Sequence, residues 1–156
     1  MEELLELREQ LVKGDLVAAL AIVDELESMS RQDKINTLES FLVVLLVHLI
    51  KIQVEQRVTR SWRNSIINSL TQIQTRNRLG KKSSYIYNWD EHLQNIIFTA
   101  VRKAAEEVFG GMEIEELESQ INEVQLRRDA QQLLAMTYSQ TERELVNFIR
   151  DQYPIL

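Results

Sequence analysis

The chain has 156 residues, no cysteine and a formal charge of −6, with 44% apolar and 27% charged residues. That length fits one domain, which buries roughly 70% of the surface its unfolded chain exposes and needs no disulfide or metal to hold a core. The missing thiols exclude disulfide scaffolds, thiolate metal sites and cysteine nucleophiles, and the acidic balance argues against wholesale binding to nucleic acid or an anionic membrane.

The opening Met1-Glu2-Glu3-Leu4 is acidic, without the basic region leading into an apolar run that marks a secretory signal, so a soluble cytoplasmic protein is expected. Gly14, Gly80, Gly110 and Gly111 each fall where an apolar helical pattern stops, and Pro154 lies beyond the last one. No window alternates as a half-buried strand would. The expected fold is all-α: one domain, an antiparallel bundle of six to seven helices around a long central helix over about 31–56.

In chain order, a first helix over 2–13 places Leu4, Leu7 and Leu11 on one side and stops at Gly14. Asp15 suits the N-cap of a second, with Leu16, Leu20, Val23 and Leu26 as its stripe. The third and longest runs over about 31–56. A fourth carries Trp62, Ile66, Leu70 and Ile73 and ends near Gly80; a fifth carries Trp89, Leu93, Ile96, Ala100, Ala104 and Val108 and closes at the glycine pair. The sixth starts near Met112, and its apolar phase slips near Arg127-Arg128, predicting a bend or break there. Ser139 and Glu142 have the spacing of a capping box for a last helix through Ile149.

Within the third helix, Phe41 to Ile52 is apolar nearly all round, with only His48 and Lys51 as polar breaks. Three positions apart, these two share a face one turn from each other, on what reads as a central buried helix. A membrane span needs roughly twenty apolar residues, and this run is shorter and flanked by Glu39 and Lys51. The pattern LES-x-L-x-VLL-x-HL-x-K from Leu38 to Lys51, followed by Arg60-Ser61-Trp62-Arg63, resembles the bacterial domain of unknown function 29 family. The resemblance implies a small all-helical protein and brings no established activity, cofactor or partner with it.

Charge is unevenly spread. Between Glu55 and Asp90 there is no acid, but seven bases: Arg57, Arg60, Arg63, Arg76, Arg78, Lys81 and Lys82. Glu113, Glu115, Glu116, Glu118 and Glu123 form an acidic segment with no base among them.

Arg60 and Arg63 fall in the first turn of the fourth helix, where the dipole disfavours cations. Arginine forks beside free backbone N–H groups make a cradle for phosphate or carboxylate. Lys51 and His48 approach that corner from the preceding helix, with Trp62 as an apolar wall. The structural alternative is that Glu39 or Glu55 neutralises the arginines and His48 is a core residue with one hydrogen-bond partner. His92, beside Asp90 and Glu91, lacks ligand-like spacing, so no metal is expected; Asp90 and Glu91 suit a helix N-terminus.

The acid-free 56–89 segment, with Trp62, Tyr85, Tyr87 and Trp89, has the residue types of a nucleic-acid surface, against the acidic balance of the whole. No phosphate loop, paired catalytic carboxylates or nucleophile motif is visible, and no cofactor is implied. The leading expectation is a non-enzymatic helical module that binds a protein partner or self-associates through an exposed face, with Ile67, Ile97 and Val146 as excess apolar residues. An anion site formed by His48, Lys51, Arg60, Trp62 and Arg63, binding or catalytic, comes second, and nucleic-acid binding third.

Overall fold

A computed structural model describes residues 2–77 and 89–155, the side chains of Asp90 and Glu91 excepted. Seven α-helices make up the described chain: α1 (Glu2–Lys13), α2 (Leu16–Glu55), α3 (Arg60–Arg76), α4 (Trp89–Ala105), α5 (Ile114–Gln120), α6 (Glu123–Ser139) and α7 (Glu142–Gln152). A 3₁₀ turn over Val108–Gly110 follows α4, and no strand occurs among the described residues. The all-α expectation holds.

The second and third expected helices are one continuous 40-residue helix. Residues 27–34, across which the second helix is expected to give way to the third, are exposed throughout. No glycine or proline interrupts the stretch, however, so the backbone continues while only its surroundings change. Local pairs support it: Gln32 Nε2 donates to Asn36 Oδ1 at 2.9 Å, and Thr37 Oγ1 to the Asp33 carbonyl at 3.0 Å.

Residue contacts divide the chain into two compact units, Met1–Thr37 and Leu38–Leu156. In the first, α1 ends at Gly14, whose φ of 78° is the left-handed conformation a glycine adopts without steric cost. The Asp15 N–H reaches back to the Gln10 carbonyl at 3.0 Å, and the Asp15 carboxylate caps the Ala18 N–H at 3.1 Å. Helices joined so tightly fold back on each other. The least exposed positions recur at helical spacing accordingly: Glu3, Leu7 and Gln10 on α1, Ala19, Ile22 and Leu26 on α2.

The second unit has the core. Leu38, Leu42, Leu45, Leu46 and Ile50 of α2 are fully buried, as are Ile66, Leu70 and Ile73 of α3. Within this unit α3 packs on α6 and α7, α4 on α5, and α6 on α7. By length and composition α2 is apolar enough to cross a membrane, yet 44% of its most apolar window is already buried in protein.

The sixth expected helix breaks earlier than the phase slip suggested. Ile121 is extended and Asn122 caps α6, accepting the Gln125 N–H at 3.1 Å. Gln53 of α2 fixes the break, donating to the Asn122 carbonyl at 3.1 Å and accepting its N–H at 2.8 Å. The last capping box is Thr141 with Glu144, while Ser139 is the final residue of α6. Thr141 Oγ1 accepts the Glu144 N–H at 3.2 Å, and the Glu144 carboxylate accepts the Thr141 N–H at 3.1 Å. Helix α4 stops at Ala105, short of Val108, and α3 ends at Arg76 with Asn77 as its C-cap; Gly80 lies outside the described residues.

Candidate functional site

The corner where α2 passes into α3 holds most of the residues singled out in the sequence. Helix α2 closes on Gln56, a non-glycine residue at φ 56°, whose N–H still reaches the Ile52 carbonyl at 3.0 Å. Thr59 opens α3, its hydroxyl accepting the Trp62 N–H at 3.1 Å. Arg60 is therefore the first helical residue, as expected.

Lys51 and Trp62 meet here. Lys51 is 8% exposed, and its Nζ stands 5.0 Å from the centre of the Trp62 ring. The Arg57 guanidinium stands 4.8 Å from the same ring, so one indole serves two cations. Each cation also has a carboxylate. Lys51 Nζ is 3.6 Å from Glu107, and Arg57 Nε donates to Glu55 at 3.1 Å. The other Glu55 oxygen accepts the backbone N–H of Phe109 at 3.3 Å. The Glu55 side chain is 6% exposed, so these two donors largely replace its water.

Phe109 is the second non-glycine residue in the left-handed region, at φ 50° and ψ 33°. Gln56 and Phe109 thus place strained backbone on both sides of Glu55, at a cost of about 1–2 kcal/mol each. Neither Glu107 nor Phe109 was expected at this corner, because sequence spacing does not bring residues 51 and 107 together.

His48 is half-buried, and its Nδ1 lies 2.7 Å from the Val44 carbonyl one turn back. Desolvation lowers its pKa, opposed by that hydrogen bond; the Lys51 charge lowers it further and Glu107 raises it. The ring is therefore neutral near pH 7, with the proton on Nδ1. Its donor is committed to its own helix.

Arg60 faces away, lining a shallow open groove with Ser61, Asn64, Ser65 and Asn68. Arg63 is half-buried, and its Nε is buried without a hydrogen-bond partner. Of the acid-free segment, Arg57 is occupied by Glu55, and Arg76 bonds Gln72 at 3.0 Å and stacks 5.7 Å from Phe41. Arg78, Lys81, Lys82, Tyr85 and Tyr87 lie outside the described residues. Among the described residues no cluster of three potential metal ligands occurs.

The excess apolar surface is not where Ile67, Ile97 and Val146 suggested: Ile97 is 4% exposed, and the other two are partly covered. Most of it lies in the first unit, although Phe98, Phe109 and Val124 of the second are also more than half exposed. Leu11, Val12, Leu16, Val17 and Leu20, all within six positions of Gly14, are between 54% and 82% exposed. Leu4, Leu5 and Met29 are also exposed, while only Ala19 and Ile22 among the described residues of the unit are buried. Helical spacing showed the stripe of α2 but not that its far side would stay open, since Val12 and Val17 lie outside it.

No curated protein and no solved structure matches the chain. The model of the family described as Domain of unknown function DUF29 matches residues 6–139, spanning α1 to the end of α6. The chain belongs to that family.

Proposed function

We propose that this protein is a non-enzymatic interaction module whose contact surface is the apolar outside of the α1–α2 hairpin. The observation that supports this reading is the run of five large side chains around Gly14 that are more than half exposed. Contiguous apolar surface of that kind costs solubility unless a partner covers it. The corner around Lys51 fits a clamp better than a reaction centre: Glu107 and Glu55 neutralise two of its cations, and His48 is tied to Val44.

Affinity purification from native lysate, with and without nuclease, tests the reading against a Val12→Glu/Val17→Glu variant. The expected result is associated protein, unaffected by nuclease and absent from the variant. Retention of every associate by the variant, or recovery of nucleic acid alone, sinks the proposal.

A second reading, a small-anion site at the α3 N-terminus, is favoured by the unpartnered Arg63 Nε. Calorimetric titration with inorganic phosphate and with citrate tests it: binding lost in Arg60→Ala/Arg63→Ala supports it, and silence from the wild type removes it.

A further inference from the structure

We infer that the partner of the hairpin is a second copy of this chain, the two meeting turn end to turn end. This rests on the interaction-module reading and names its partner. Leu11, Val12, Leu16, Val17 and Leu20 of one copy pack on the same five residues of the other, in a two-fold arrangement.

Charge selects this occupant. Around the turn, Lys13 and Asp15 cancel, so the apolar patch carries no net charge. Away from it the hairpin is acidic: Glu2, Glu3, Glu6 and Glu9 stand against Arg8 alone on α1, and Asp24, Glu25 and Glu27 continue the sign on α2. Two copies side by side along their length would oppose like charges, whereas contact restricted to the turn ends sends the acidic parts away from each other. A two-fold axis through the contact also brings Lys13 towards the partner's Asp15, and back again, so a self-complementary patch acquires two ion pairs at its rim. An anionic membrane is disfavoured by the same acids, which outnumber Arg8 and Lys13, the two bases near the patch.

Size points to a weak, reversible pair. Five side chains exposed to this degree offer on the order of 500 Å² per copy, or about 1,000 Å² for the pair, the lower limit of specific interfaces. Little is available to compete for this surface inside its own unit, where a two-helix hairpin has no third layer to cover its outer side.

The absence of native cysteine makes the test clean. Sedimentation of the full chain should show a monomer–dimer equilibrium in the micromolar range, and Val12→Glu/Val17→Glu should be monomeric with unchanged helicity. Val12→Cys should form an inter-chain disulfide under mild oxidation, and Glu25→Cys, on the acidic part, should not. A wild type that stays monomeric into the high-micromolar range overturns the pairing, as does a dimer that survives the double charge substitution. Equal cross-linking of the two cysteine variants overturns the turn-end geometry. Should the wild type be monomeric yet lose a lysate partner on Val12→Glu/Val17→Glu, self-pairing falls while the module reading stands; with no such partner, both fall.

Discussion

The buried carboxylate of Glu55 accepts the backbone N–H of Phe109 at 3.3 Å, tying the last residue of α2 to a left-handed turn 54 positions along the chain. The same carboxylate holds Arg57 Nε at 3.1 Å, so one side chain fixes both the exit of α2 and the corner after α4. Glu55→Ala leaves the Phe109 N–H without its acceptor, whereas the Arg57 side chain, 56% exposed, keeps its water. We expect a loss of about 1–2 kcal/mol, read as a fall of about 2–8 °C in melting temperature. Glu55→Gln keeps one acceptor oxygen and should lose about half as much. Equal stability of all three proteins would show that water replaces the carboxylate without cost.

Phe109 is 61% exposed, so its side chain contributes little packing to offset its left-handed backbone. Phe109→Gly should therefore be neutral or gain up to about 1 kcal/mol, and Phe109→Val should lose about 1–2 kcal/mol, because branching at Cβ worsens the same clash. Denaturant titration of the pair gives the sign. A destabilised glycine variant would mean that the aromatic ring is used in a contact worth more than the strain.

Lys51 lies between a half-exposed carboxylate and an indole face. Glu107 is 54% exposed and 3.6 Å away, too open and too distant to repay much of the desolvation of the ammonium. Lys51→Met, similar in volume and apolar, should change stability by less than about 1 kcal/mol. Trp62→Ala should cost about 3–5 kcal/mol, since it empties a buried site that both Lys51 and Arg57 lean on. A severe loss from Lys51→Met would place the stabilisation in the charge.

His48 gives the corner a pH dependence with a definite sign. Burial holds its folded pKa below the ordinary 6.5, so the unfolded chain takes up the proton first. Its contribution is constant above that value and falls as the pH drops through 6.5 towards the folded pKa. Stability measured between pH 8 and pH 5 should decline at the acidic end, with a shallower decline in His48→Gln. Parallel curves for the two proteins would mean that the imidazole stays as solvated in the fold as outside it.

The sequence by itself determined the all-helical fold and several of the helix ends. Glycine at residue 14, Asp15 as a cap, and apolar stripes such as Ile66, Leu70 and Ile73 act through neighbouring backbone, within reach of local rules. It also placed Lys51 and Trp62 at one corner, because the two helices that carry them are consecutive. It failed where the decisive interaction was distant. Nothing near Asn122 announces the break before α6, which Gln53 fixes from 69 residues away. Glu107 and Phe109 reach the Lys51 corner only because the chain after α4 returns to it.

The same division applies to the surface. The sequence shows that Leu11, Val12, Leu16 and Val17 are apolar, but burial depends on what else packs there. Only the tertiary structure left them uncovered and put Ile97, which local spacing had marked as surplus, into the core. Hydrophobicity is written residue by residue, whereas exposure is a property of the neighbours.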